Sequence, residues 1–261
     1  GVQTCALPIF APKAAWNGKE FYVVWNTRTI ATGDVDVNGI RVGTDGAVRG
    51  SVMSVSTVAG SNQTNADVAC LPGTLVAPGQ CYAVWEDTRE GATTRRVYGI
   101  FWFADGTLNA AAGTGVRLAT IGGIDEIFHP TISARAGQYF ISIFMRPTAL
   151  QDTWLGWIAT DPAGNLTGFD YLSSGAGSSF HAQSVAPAEF GALRGYVIGY
   201  GIAPTSEPGF ATRINQIFVD ESSNHKFTKT LVSSSTLRFA EPGVGLNSNG
   251  EWVAAWKTYD T

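Results

Sequence analysis

The chain is 261 residues long with a formal net charge of −4, and its Lys and Arg residues form no stripe, which excludes a polyanionic nucleic acid as an expected partner. With 31 glycines, 15% charged and 11% aromatic residues, it has the composition of many turns between thin, aromatic-packed layers. No apolar run reaches the roughly twenty residues of a membrane-spanning helix.

Residues 1–9, GVQTCALPI, fit no later part of the chain and resemble the in-frame translation of a sequencing-library adapter. They stand outside the repeat as a tag would, and Cys5 with them, so the natural N-terminus and any signal peptide are expected to lie elsewhere. From Phe10 one pattern recurs. Residues 10–61 predict a short strand at 13–16, an apolar strand ending FYVVW at Trp25, a third at 39–42, a Thr44-Asp45-Gly46 turn and an outer strand at 52–57. Residues 62–120 are the best copy, with strands at 67–71, at CYAVW ending on Trp85, at 99–102 and at 116–120, and the turn Ala104-Asp105-Gly106. Residues 121–173 replace the tryptophan by Ile143 and keep Asp161-Pro162-Ala163-Gly164. Residues 174–234 are the most divergent, with Tyr200 at the end of the second strand. The last copy, 235–261, reaches its second strand at Trp256.

Trp25, Trp85, Ile143, Tyr200 and Trp256 thus recur at intervals of about 56 to 60 residues. Four short strands per repeat with no helical periodicity predict an all-β protein, a β-propeller of four-stranded antiparallel blades. The expectation is four complete blades and the start of a fifth, part of a larger ring of about five to eight. One blade cannot bury both faces of its sheet, so the apolar second and third strands are the ones sandwiched between neighbours.

The second strands FYVVWNTR and CYAVWEDTR, each followed by a segment such as VYGIFWFADG, resemble a propeller repeat family abundant in secreted and envelope proteins of bacteria. The resemblance covers nearly all of residues 10–261. It implies a propeller scaffold in an extracytoplasmic protein and no single activity. The turns also resemble the Asp-box of sialidase-type propellers but lack its flanking Ser and Trp.

Cys70 ends one strand and Cys81 begins the next, so an antiparallel pairing can join them in a disulfide. His129 and His181 align just before the innermost strand, where other repeats carry Ala11, Asn65 and Glu241. In a propeller that position lies at one mouth of the channel, on the same face as the loops between second and third strands. Asn65, His129, His181 and Glu241 are therefore candidate ligand-binding residues, or else they complete the backbone hydrogen bonding there. From the loops, Arg28, Asp87, Arg89 and Arg146 are candidates for gripping an acidic group, the alternative being that each arginine ties a loop to its own blade. Asp34, Asp36, Glu86, Glu90, Asp152 and Glu207 add carboxylates to this face, with no pair marked out by spacing. His225 is read as a solvated turn residue. No motif calls for a metal or cofactor.

Good repeats without a nucleophile or metal motif point to a non-catalytic propeller module of a secreted or cell-surface protein, taking a glycan, peptide or protein partner on its loop-rich face. The alternative is a propeller-fold glycoside hydrolase, sialidase-like, or a lyase, with catalytic residues spread over blades.

Overall fold

The computed structural model describes residues 9–74, 76, 78–109, 113–135, 137–147, 152–174, 178–190, 193–204, 211–246 and 252–260. Residues 1–8, Cys5 among them, and Glu207 lie outside the described residues. Four four-stranded antiparallel sheets follow one another as meanders. The first holds β1 (Ile9–Trp16), β2 (Glu20–Arg28), β3 (Val35–Gly43) and β4 (Val48–Ser56). The second holds β5 (Gln63–Cys70), β6 (Cys81–Asp87), β7 (Arg96–Trp102) and β8 (Val116–Arg117). The third holds β9 (Ile124–Arg135), β10 (Gln138–Pro147), β11 (Trp154–Thr160) and β12 (Leu166–Leu172). The fourth holds β13 (Ser178–Phe190), β14 (Leu193–Pro204), β15 (Arg213–Asp220) and β16 (His225–Ser233), and β17 (Leu237–Leu246) pairs with β18 (Trp252–Asp260).

Burial explains the repeated apolar strands. Every residue of β6 is buried, whereas β4 is exposed along most of its length, as expected of a strand covered on both faces against one at a sheet edge. The glycine that opens the third-strand motif in the first three sheets has a steric cause. A Cβ at Gly39 would sit 2.7 Å from the Trp102 ring, at Gly99 2.8 Å from Tyr82, and at Gly156 2.8 Å from Met145. A large side chain occupies the space over each glycine, and any methyl group there would displace it.

The Asp-containing turns have a common mechanism too. The carboxylates of Asp45, Asp105, Asp161 and Asp220 each accept the N–H two residues on, from Ala47, Thr107, Ala163 and Ser222, at 2.9–3.0 Å. That bond from Ala47, the Thr107 hydroxyl on Asp105 and the Asn165 amide on Asp161 hold those three carboxyls below the ordinary range.

The inner strands depart from the sequence expectation. Each starts earlier than predicted, and β1, β5, β13 and β17 carry an irregularity before the predicted stretch. Ladder pairing jumps from Phe10 to Lys13, Thr64 to Asp67, His181 to Gln183 and Ala240 to Gly243. Ala11, Asn65, Ala182 and Glu241 lie in these irregularities, and they and His129 of β9 all have positive φ, between 40° and 52°. Pro12, Pro130 and Pro242 follow three of them, where a residue with no N–H costs the ladder nothing. The bulge corrects one alignment: in the fourth sheet its residue is Ala182, so His181 stands one place ahead, in register with Gly201, and is not equivalent to His129. Trp25, Trp85 and Trp256 lie opposite bulges, and Tyr200 pairs with the residue that follows one.

The chain forms two compact units, residues 1–121 with Phe128–Pro130, and residues 122–127 with 131–261. In the first, the two sheets enclose a core of Tyr22, Val24, Val37, Trp85, Ile100 and Trp102, with Tyr22 edge-on to Trp102 at 4.6 Å. Cys70 and Cys81 are directly paired across β5 and β6 and form a disulfide, with Cα atoms 3.9 Å apart. In the second unit Phe140 stacks on Tyr196 at 4.3 Å, and Phe239 closes against Ala211 and Ile214.

Candidate functional site

In the first unit, the end of the sheets that carries the β2–β3 and β6–β7 loops is organised by one carboxylate. Glu86 follows Trp85 on β6 and is 6% exposed. Its Oε2 accepts the Asn65 side-chain amide and the His129 backbone N–H, each at 3.1 Å. Arg95 lies 3.9 Å from Oε1, and its guanidinium is stacked 3.8 Å over the Phe128 ring. Asn26, following Trp25 on β2, does the same work without charge. Its amide donates to the Gln63 carbonyl at 2.8 Å and accepts the Ala66 N–H at 3.4 Å. The polar residues after Trp25 and Trp85 therefore each accept a backbone N–H at or next to a positive-φ residue of an inner strand.

Burial lowers the His129 imidazole below the usual histidine range, and the Arg95 charge adds to this while Glu86 opposes it. The His129 residue as a whole is nevertheless exposed, beside the buried Glu86 carboxylate. Asp36, near Asp34 on the β2–β3 side, is raised by burial and then by the Asp34 charge.

The remaining predicted residues fall into two groups. Asp87 is wholly buried, accepting from Trp85 Nε1 at 3.0 Å and from the Arg89 N–H at 2.8 Å. The Arg89 guanidinium bonds Asp87 at 2.5 Å and the Thr114 carbonyl at 3.0 Å, and it lies 3.9 Å over the Tyr98 ring. Arg89 thus ties its loop to its own sheet, as does the second-unit pair Arg146 and Glu126. Glu90 is similarly committed to Tyr98, whose hydroxyl donates at 2.8 Å, and to Arg117 at 2.9 Å. Burial first, and then Glu90, push the Tyr98 phenol up to about 12. Arg28 differs: it ends β2 exposed, and its guanidinium has no partner among the described residues. In the second unit His181 is half-buried, and exposed Glu241 pairs with Lys257 at 2.5 Å. His225 opens β16, exposed, with Nε2 2.9 Å from the Thr228 hydroxyl.

The structure therefore brings Asn65 and His129 together on Glu86, which the sequence marks only as one carboxylate among several on this face. The signal available was the polar residue that follows the strand-end tryptophan in both of the first two repeats. Among the described residues no three His, Cys, Asp or Glu side chains gather as a metal site would require.

No protein-family model and no curated protein sequence matches the chain. Solved structures do. A thermostable family-43 glycoside hydrolase superposes with a TM-score of 0.51 at 12% identity, covering 87% of this chain and 75% of its own. A variant of the Synechocystis apocarotenoid oxygenase gives 0.53 at 11%, covering 100% of this chain and 58% of its own. A sucrose-6-phosphate hydrolase from Lactobacillus gasseri gives 0.52 at 6%, covering 95% and 53%. The chain spans little more than half the length of the last two. The likeness is one of fold: this is an all-β protein of the β-propeller class, related in architecture to propeller-fold glycoside hydrolases. Because hydrolases and an oxygenase share the scaffold, it carries no one reaction.

Proposed function

We propose that the protein is a non-catalytic β-propeller module that binds a glycan, peptide or protein partner on the loop-bearing end of its sheets. The observation that supports this is the commitment of that end's acidic groups. Glu86, Asp87, Glu90 and Glu126 are each bonded to arginines, backbone or aromatic hydroxyls that hold the fold. A carboxylate whose oxygens are taken up by such partners is not free to reach a substrate. What faces solvent is a binding set, with His129 and the guanidinium of Arg28. The Cys70–Cys81 disulfide supports an extracytoplasmic location.

One observation favours the second reading, a glycoside hydrolase. Asp36 is held up by burial and by Asp34, the pattern of a general acid beside a charged carboxylate. The experiment is a glycan array run alongside a hydrolysis panel of the same glycans. Array binding that weakens in His129→Gln and Arg28→Gln, with no glycan cleaved, is the expected result. Turnover that disappears in Asp36→Asn while thermal stability is kept would overturn the binding module in favour of the enzyme.

A further inference from the structure

The opposite end of the first sheet, away from Glu86, carries a cleft of about 630 Å³ whose lining includes Lys19, Glu20, Arg41 and Arg49. Its charge arrangement has a specific origin in the register. Arg41 on β3 and Arg49 on β4 are direct cross-strand partners, so two guanidiniums project from the same face of neighbouring strands. Like charges directly opposite on a ladder repel. Each is partly compensated: Arg41 Nη1 bonds Glu20 at 3.0 Å, and Arg49 Nη2 bonds Asp45 at 2.8 Å. The Lys19 ammonium has no acidic partner among the described residues. Three cations against two carboxylates leave a local positive excess on a chain of net charge −4.

Donors also remain uncommitted. Glu20 and, at 3.5 Å, the Asp105 carbonyl take Nη1 of Arg41, Tyr22 adjoins its guanidinium, and Nη2 makes no hydrogen bond among the described residues. Two glycines let the guanidiniums lie close against the backbone of the cleft. A Cβ at Gly43 would lie 2.8 Å from Arg49 Nε and Nη2, and one at Gly50 3.6 Å from Arg41 Nη2. Forked, planar donors from adjacent strands with a lysine alongside are the recognition chemistry of an oxyanion. The cleft falls in the size range of small-molecule sites, larger than a bare ion fills.

We infer that this cleft binds a sulfate or phosphate monoester carried on a sugar, with Arg41, Arg49 and Lys19 holding the oxyanion and the rest of the cleft holding the ring. The inference goes beyond the loop-end reading and is separable from it, since the residues lie at the other end of the strands.

Calorimetry at low ionic strength with glucose 6-sulfate, glucose 6-phosphate and inorganic sulfate tests it. At least one ester should bind, more weakly as salt is raised. The exposed double variant Lys19→Gln/Arg49→Gln should lose at least about tenfold in affinity with its melting temperature unchanged. Glu20→Gln should tighten binding, because it removes the carboxylate that competes for Arg41. The comparison of the two esters separates sulfate from phosphate as the source of the anion. No heat with any probe, or a double variant that binds as well as the parent, would overturn the site. Inorganic sulfate binding as tightly as both esters would overturn the sugar-sized ligand.

Discussion

Replacing Glu86 with alanine removes one acceptor from three groups at once. The His129 N–H and the Asn65 amide, both 3.1 Å from Oε2, lose their charged acceptor in a site only 6% exposed. Each of these part-buried donors left unpaired costs up to about 1–3 kcal/mol. Arg95 contributes less, since it lies 3.9 Å from the carboxylate, keeps 24% exposure and can turn to water. The expected loss is therefore about 3–5 kcal/mol, consistent with breaking a buried charged network. Glu86→Gln keeps one acceptor oxygen and should cost about half as much. Urea unfolding measures both, with the m-value checking that the unfolded state is unchanged. A second readout tests the electrostatics: Glu86 raises the His129 pKa, so in Glu86→Gln the imidazole should titrate lower still by NMR. An alanine variant within about 1 kcal/mol of the parent, or a His129 pKa that rises, would refute the hub.

Gly99→Ala should cost about 1–3 kcal/mol, because its Cβ would lie 2.8 Å from the Tyr82 ring, which is itself stacked on Phe101 at 4.1 Å. Gly33→Ala, at φ 78° with nothing within 4 Å, should show only the smaller backbone penalty of about 1–2 kcal/mol, and paired thermal melts separate the two causes. Removing the disulfide as Cys70→Ala/Cys81→Ala, with a sequence separation of 11, should cost about 3 kcal/mol of loop-closure entropy in denaturant unfolding. The depressed His129 pKa sets a pH dependence whose sign follows from proton binding. The unfolded chain takes up the proton first, so stability should be level above about pH 7 and decline as pH falls through about 6.5 toward the lower native value. His129→Gln should flatten that part of the stability profile, and a profile unchanged by the substitution would count against it.

The β-propeller class and the order of strands were legible in the sequence because both rest on local, repeated chemistry. Alternating apolar runs ending at Trp25 and Trp85 reveal buried strands, and Asp45, Asp105 and Asp161 close turns through bonds two residues away. The pairing of Cys70 with Cys81 was legible for the same reason, being set by two adjacent strands and their loop. The inner-strand bulges were not. Positive φ at Asn65, His129 or Glu241 has no obligate residue type, and it is tolerated where surrounding contacts over-determine it. Hence His181 was placed one residue off, level with a bulge that Ala182 occupies. The pairing of Arg41 with Arg49 likewise depended on a register shift between Gly39 and Arg41 that no residue announces. Glu86 shows the same division. Its sequence neighbours mark it as the charged start of a loop, but His129 lies 43 residues further along the chain. Only tertiary packing, by burying Glu86 beside the Asn65 amide and the His129 N–H, made it the centre of the site.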